Sequence, residues 1–102
     1  MAAYVKVAQA ADLSPGRAMA VTVADKRIAL FSVDGTVFAI DDTCTHRGGP
    51  LSEGELKEGI VTCPWHKAQF NVKDGQVLRP PAPKSVSSYP VRITDGAIEV
   101  EV

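Results

Sequence analysis

The stretch "RIALFSVDGTVFAI", residues 27–40, shows which fold class this 102-residue chain adopts. On both sides of Asp34-Gly35, apolar side chains alternate with polar or smaller ones, which is the period of a β-strand with one buried face. An Asp-Gly pair accommodates the positive φ angles of a two-residue hairpin turn. The stretch therefore predicts two antiparallel, half-buried strands joined by a tight turn.

The same pattern extends over most of the chain. Further alternating segments are "YVKVA" at 4–8 and "RAMAVTV" at 17–23, and Asp-Gly recurs at 74–75 and 95–96 between β-type runs. Helical periodicity is absent, apart from one short turn expected within "QAADLSPGR", residues 9–17. We predict an all-β fold: a single antiparallel domain over residues 1–102, sandwich or barrel-like, with about six to nine strands.

Composition excludes several classes of partner. The formal net charge is −1 and no run of Lys or Arg marks a surface that follows phosphates, so nucleic acid is not expected. The first residues lack a basic leader followed by an apolar stretch, and no apolar span reaches about 18 residues. We therefore expect no membrane partner and a cytoplasmic location.

Two stretches depart from alternation. Loop chemistry replaces it over residues 42–66, and "RPPAPKS" at 79–85 contains three prolines that exclude an internal strand. Because a rigid β scaffold commonly presents its chemistry on loops, these stretches are where a functional site is expected.

All the cysteines and histidines of the chain lie in the first of these stretches. They form Cys44-x-His46, then sixteen residues, then Cys63-x-x-His66. In a reducing compartment such a set is typical of metal ligands, although a disulfide between the two cysteines stays open. A Cys2His2 zinc finger would pair like with like and place its histidines on a helix, whereas each half here offers one thiolate and one imidazole.

One zinc ion could still take all four ligands tetrahedrally. The mixed pairing suits better a two-metal centre that needs thiolates at one end and imidazoles at the other, such as a [2Fe-2S] cluster with two Cys on one iron and two His on the other.

"CTHRGGPLSEG" at 44–54 and "CPWHKAQFNV" at 63–72 closely resemble the two cluster-binding loops of Rieske proteins. The resemblance implies an antiparallel Rieske iron-sulfur domain with a two-loop cluster-binding subdomain, its loops at 42–50 and 62–70. It also implies that the Pro-rich loop at 79–85 covers the cluster.

The resemblance further implies a ligand set. One [2Fe-2S] cluster per chain would be bound by Cys44 and Cys63 at the inner iron and by His46 and His66 at the outer iron. Two neutral imidazoles leave the oxidised cluster uncharged, which favours reduction and gives potentials of about −150 to +300 mV.

Neighbouring residues indicate the lower end of this range. High-potential Rieske proteins carry an additional disulfide between the loops and a Ser and a Tyr hydroxyl that donate hydrogen bonds to sulfur. The corresponding residues here are Gly49, Trp65, Ala68 and Phe70, which supply neither. We therefore predict a low-potential carrier, toward the end of the range at about −150 mV.

Charged residues surround the predicted ligands. Arg47 and Lys67 adjoin the histidines, as solvated charges or as docking contacts. A flanking acidic group is interpreted as a solvated rim, with partner steering as the less favoured reading. Its members are Asp41, Asp42, Glu53, Glu55 and Glu58.

The resemblance implies a one-electron carrier between a flavin-containing reductase and a terminal oxygenase of the aromatic ring-hydroxylating type. Catalysis would lie in a partner, since both histidines are committed and no ligands remain for an oxygenase iron. The chain is expected to be a monomer in isolation. Three alternatives stay open: a small Rieske subunit of an assimilatory nitrite reductase, a zinc-stabilised protein-binding module, and a metal-free domain with a disulfide between Cys44 and Cys63.

Overall fold

The computed structural model describes residues 4–13, 16–23, 25–43, 50–64, 67–79 and 85–101. Its strands are β1 (Tyr4–Gln9), β2 (Ala18–Val23), β3 (Lys26–Val33), β4 (Thr36–Asp41), β5 (Glu55–Lys57), β6 (Ile60–Thr62), β7 (Gln69–Asn71), β8 (Val77–Arg79), β9 (Ser88–Tyr89), β10 (Val91–Thr94) and β11 (Ala97–Glu101). Two 3₁₀ turns, Ala10–Asp12 and Leu51–Glu53, are the helical segments of these ranges, and neither could span a membrane. The all-β prediction is confirmed, but the eleven strands of the described residues exceed the expected number.

The strands of the described residues form three antiparallel sheets. Their orders are β1-β11-β10, β2-β3-β4-β9 and β5-β6-β7-β8. The third sheet is inserted between β4 and β9, and the chain returns to pair β9 with β4. The first two sheets therefore form a base, and the third sheet forms a subdomain built on one continuous insertion.

Strand β3 separates two hydrophobic cores. Ile28 and Leu30 pack on one side with Ile98 and Val100, while Phe31 packs on the other with the inserted sheet. The prediction that this strand is half-buried is therefore wrong, because both of its faces are covered. Truncating the fully buried Phe31 to alanine would cost about 3–5 kcal/mol of stability, since it empties the core shared by base and insertion.

Two of the predicted hairpin turns are confirmed. Asp34 and Gly35 have φ angles of 51° and 84° between β3 and β4, as a type I′ turn requires, and Asp95 and Gly96 have 50° and 79° between β10 and β11. Residues 74–75 also lie in a hairpin, between β7 and β8, but the loop is longer than two residues.

The expectation that residues 42–66 are irregular is wrong in part. Strands β5 and β6 lie within this range and pair Lys57 with Ile60 across a tight turn. Glu58 and Gly59 form that turn with φ angles of 53° and 79°. The Glu-Gly sequence is a weaker turn signal than Asp-Gly, because glutamate lacks the short side chain that tolerates a left-handed conformation. The short turn expected within residues 9–17 is confirmed by the first 3₁₀ turn.

Candidate metal centre

Cys63 is the predicted ligand that the structure describes; Cys44, His46 and His66 lie outside the described residues, as do Gly49 and Trp65. Cys63 directly follows β6, is 2% exposed and is a free thiol. Its N–H donates to the carbonyl of Ala68 at 2.7 Å, and its own carbonyl accepts the N–H of Lys67 at 3.1 Å. The backbone of Cys63 is thus fixed on both sides at the end of the third sheet.

Strands β6 and β7, which precede Cys63 and follow Lys67, are paired up to their last residues at this end of the sheet. Thr62 of β6 pairs with Gln69 of β7, and the Gln69 side-chain amide donates to the Thr62 hydroxyl at 3.3 Å. Lys67 has a φ angle of 66°, which costs a non-glycine residue about 1–2 kcal/mol, and its side chain is exposed. Cys63 is therefore buried and Lys67 is exposed in a left-handed conformation.

The residues that flank 44–49 are held together by a second set of contacts. Thr43 and Pro50 form an isolated antiparallel bridge. The carbonyl of Asp42 accepts the N–H of Leu51 at 2.7 Å, and its carboxylate accepts the N–H of Ser52 at 2.7 Å. The two ends of the segment that contains Cys44 and His46 are consequently adjacent.

Close backbone packing places these ends beside Cys63. A Cβ atom on Gly54 would lie 2.1 Å from the carbonyl oxygen of Thr62, so only glycine fits there. Leu51 is fully buried in the same core as Cys63. The residues that follow the first predicted loop therefore lie against the end of β6.

The residues that flank 80–84 lie at different ends of the third sheet. Arg79 pairs with Gln69, which starts β7 next to the Cys63 turn. Beyond residue 84, Val86 is buried in the core that contains Cys63, but its N–H donates to the carbonyl of Gly75 at 2.9 Å, in the turn between β7 and β8 at the opposite end of the sheet. Residues 80–84 of the Pro-rich stretch, which are predicted to cover the cluster, lie outside the described residues. The flanks of 44–49 and of 65–66, together with Arg79, therefore lie at the Cys63 end of the sheet.

A family model for the Rieske [2Fe-2S] domain matches residues 3–90 of this chain. The chain belongs to the Rieske [2Fe-2S] domain family. The predicted resemblance and Rieske fold class are confirmed, and the cofactor is one [2Fe-2S] cluster.

Similar Rieske proteins cover nearly the whole chain. The biphenyl dioxygenase ferredoxin subunit of Pseudomonas sp. strain KKS102 is 37% identical over 96% of this chain and 91% of its own length. A chain in the solved complex of reduced oxygenase and oxidized ferredoxin in carbazole 1,9a-dioxygenase has a TM-score of 0.90 and 32% identity, covering 96% of this chain and 92% of that one. A Mycobacterium tuberculosis protein assigned as an NADH-dependent nitrite reductase small subunit has a TM-score of 0.88 and 29% identity, covering 100% and 96%.

The described residues fit a Rieske cluster. Cys63 offers a soft sulfur ligand within an apolar core, and a metal bound there would compensate the negative charge of its thiolate. Ala68 and Phe70, which follow in the second loop, are fully buried and carry no hydroxyl group. The site is therefore dry on its inner side and lacks side-chain hydroxyl donors at these two positions.

Two consecutive aspartates at the end of β4 were not predicted as site residues. Asp42 is 1% exposed, and besides Ser52 its carboxylate binds the Arg27 guanidinium at 3.0 Å. Asp41 is half-buried; its carboxylate accepts the Tyr89 hydroxyl at 2.6 Å and the N–H of Ser87 at 3.2 Å. The solvated-rim interpretation is wrong for Asp42, whereas Glu53, Glu55 and Glu58 are exposed as expected.

Tyr89 carries the clearest electrostatic perturbation in the described residues. Burial, followed by the hydrogen bond to Asp41 and the charge of that carboxylate, raises the pKa of Tyr89 to about 12. Each cause disfavours the phenolate, so the hydroxyl remains a donor to Asp41 at physiological pH. One sequence signal could have identified these aspartates: two consecutive Asp residues end a β-type run shortly before Cys44.

Proposed function

We propose that this chain is a soluble one-electron carrier whose Rieske cluster is held by Cys44 and Cys63 at the inner iron and by His46 and His66 at the outer iron. The observation that carries the proposal is the buried free thiol of Cys63 at the sheet edge where the flanks of 44–49 converge. The match of the Rieske family model across both loops supports it.

The cluster, when bound, accepts and returns a single electron. The chain supplies its surroundings: the core around Cys63 keeps water from the inner side, and the turn at Lys67 presents a positive charge outward. Ala68 and Phe70 donate no hydroxyl hydrogen bond, which supports a low potential, toward −150 mV at about the lower end of the Rieske range.

We assign the electron donor as a flavin-containing reductase and the acceptor as a terminal oxygenase, so that catalysis lies in the partner. Support comes from relatives: one is a biphenyl dioxygenase ferredoxin subunit, and one solved complex joins a ferredoxin to an oxygenase. The proposal includes a cytoplasmic, monomeric carrier consisting of one domain over residues 1–102.

The cofactor assignment is tested on anaerobically purified protein. Iron and acid-labile sulfide in equal amounts, with an electron paramagnetic resonance spectrum after dithionite reduction whose average g value lies below that of the free electron, would support it. One zinc per chain without labile sulfide would refute it. Replacing Cys44, His46 or His66 singly by alanine should abolish or alter that spectrum, which tests each ligand.

A second candidate is the small Rieske subunit of a nitrite reductase, because such a protein from Mycobacterium tuberculosis matches the complete chain. The two roles are distinguished by mixing the reduced protein with the oxygenase component of a biphenyl dioxygenase and, in a separate experiment, with a nitrite reductase large subunit. Reoxidation by the oxygenase alone supports the first role. The zinc-module alternative has no support from the family match.

A further inference from the structure

We propose that Asp41 and Tyr89 form a latch that holds the segment following the Pro-rich stretch against the strand leading into Cys44, and that Asp41 is thereby a positioning residue for the cluster site. This inference deepens the proposed function and rests on it for the identity of the cluster ligands. The Asp41–Tyr89 latch comprises these two side chains and the backbone of Ser87.

The latch reinforces a short connection. Strand β9 pairs with β4 at Ala39–Tyr89 and Ile40–Ser88, a ladder of two residue pairs. Asp41 extends it: its N–H donates to the Ser87 carbonyl at 2.9 Å, and its carboxylate accepts the Ser87 N–H and the Tyr89 hydroxyl. Because a carboxylate is a strong acceptor, these bonds contribute more than ordinary ladder contacts.

Asp42, the next residue, has a similar role toward a different segment. The Asp42 carboxylate binds the Ser52 N–H, at the return of 44–49, whereas Asp41 binds Ser87 and Tyr89, at the return of 80–84. Successive side chains of an extended strand point in opposite directions, so one dipeptide can hold two segments. The end of β4 therefore fixes the returns of both segments relative to each other.

The segment after the Pro-rich stretch remains anchored when the latch opens. The Ser85 hydroxyl accepts the Val77 N–H at 3.0 Å, and Val86 is buried next to the Cys63 core with its N–H bonded to Gly75. Loss of the latch should consequently release residues 87–89 locally and leave the fold intact. A lost hydrogen bond to a charged group shifts such an opening equilibrium by about tenfold or more.

The test uses Y89F, which removes one hydroxyl and preserves the ring and the charge of Asp41. Y4F is a matched control, because Tyr4 lies on β1 in another sheet. The centre of its ring lies 4.2 Å from the Cζ atom of Arg92. Hydrogen exchange of peptides covering residues 85–89, and loss of cluster absorbance to an iron chelator, should both accelerate about tenfold in Y89F. Neither should change in Y4F.

D41N distinguishes a latch from a simple charge effect. Increased solvent access stabilises the reduced, more negative state, so the midpoint potential should rise in Y89F although no charge is lost. D41N should raise it further, because it also removes a negative charge, and the double variant should exchange no faster than D41N. Unchanged exchange and potential in Y89F, or additive exchange rates in the double variant, would overturn the latch. If the wild-type protein held no cluster, the proposed function would fail while hydrogen exchange still reported on the latch.

Discussion

Replacing Ala68 by serine would place a hydroxyl beside the proposed inner ligand. Ala68 is fully buried, and its carbonyl accepts the Cys63 N–H at 2.7 Å, so its Cβ is fixed close to this cysteine. A hydroxyl that donates to sulfur stabilises the reduced state more than the oxidised state. A hydrogen bond to a charged group contributes at least about 1.5 kcal/mol. If the hydroxyl stabilises the reduced state over the oxidised state by about this amount, the midpoint potential should rise by about 65 mV.

The assay is a redox titration of A68S at fixed pH and ionic strength, followed by visible absorbance. A29S is the matched control, because Ala29 is also fully buried in the same core but lies on β3 of the base. It should lose about 1–3 kcal/mol of stability through an unpaired hydroxyl and keep its potential. An unchanged potential in A68S, with an intact cluster spectrum, would contradict the alignment of residues 63–72 with a Rieske loop. An equal rise in A29S would attribute the effect to core polarity.

Three further predictions concern the ligands and the aspartate pair. H66C exchanges a neutral imidazole for a thiolate, so the potential should fall toward the value of about −400 mV typical of plant-type, four-thiolate ferredoxins; titration showing no fall would contradict the charge argument. D42A leaves the partly buried Ser52 N–H without its acceptor while D42N retains one oxygen, so iron loss to a chelator should be about tenfold faster in D42A than in wild type and intermediate in D42N; equal rates in all three proteins would show that Asp42 does not hold the first loop. The Tyr89 pKa is raised in the folded state, so its contribution to stability is complete below pH 10 and is lost as pH rises from 10 to about 12. The thermal denaturation temperature should fall more steeply across this pH range for wild type than for Y89F. Parallel curves for the two proteins would refute the contribution of Tyr89 to stability.

Local signals predicted much of the fold. Asp34-Gly35 and Asp95-Gly96 specify their turns because positive φ angles at both positions select few residue pairs. The spacing of Cys44, His46, Cys63 and His66 likewise led to the Rieske family, because soft and imidazole ligands in this order serve few metal centres.

Features that depend on distant packing were not predictable. Strand β3 is buried on both faces because the inserted sheet covers one of them, and alternation within residues 27–33 does not report on a sheet formed later in the chain. Asp42 appears in the sequence as one of several acidic residues, and its burial depends on Arg27 and Ser52 being brought to it by the fold. Two-residue β9 carries no periodic signal at all.

The insertion of the third sheet between β4 and β9 has a consequence for transplanting the metal-binding module. Its two ends meet where the Asp41 N–H bonds the Ser87 carbonyl, so a recipient scaffold would need only two adjacent attachment points. The hydrophobic core that the inserted sheet shares with the base is harder to transfer. Phe31 and Ile40 of the base line the same core as Val61 and Cys63, so a graft that ended at residues 42 and 86 would leave three of the ten buried residues of that core behind. A functional chimera would have to import the facing side chains of β3 and β4 with the module.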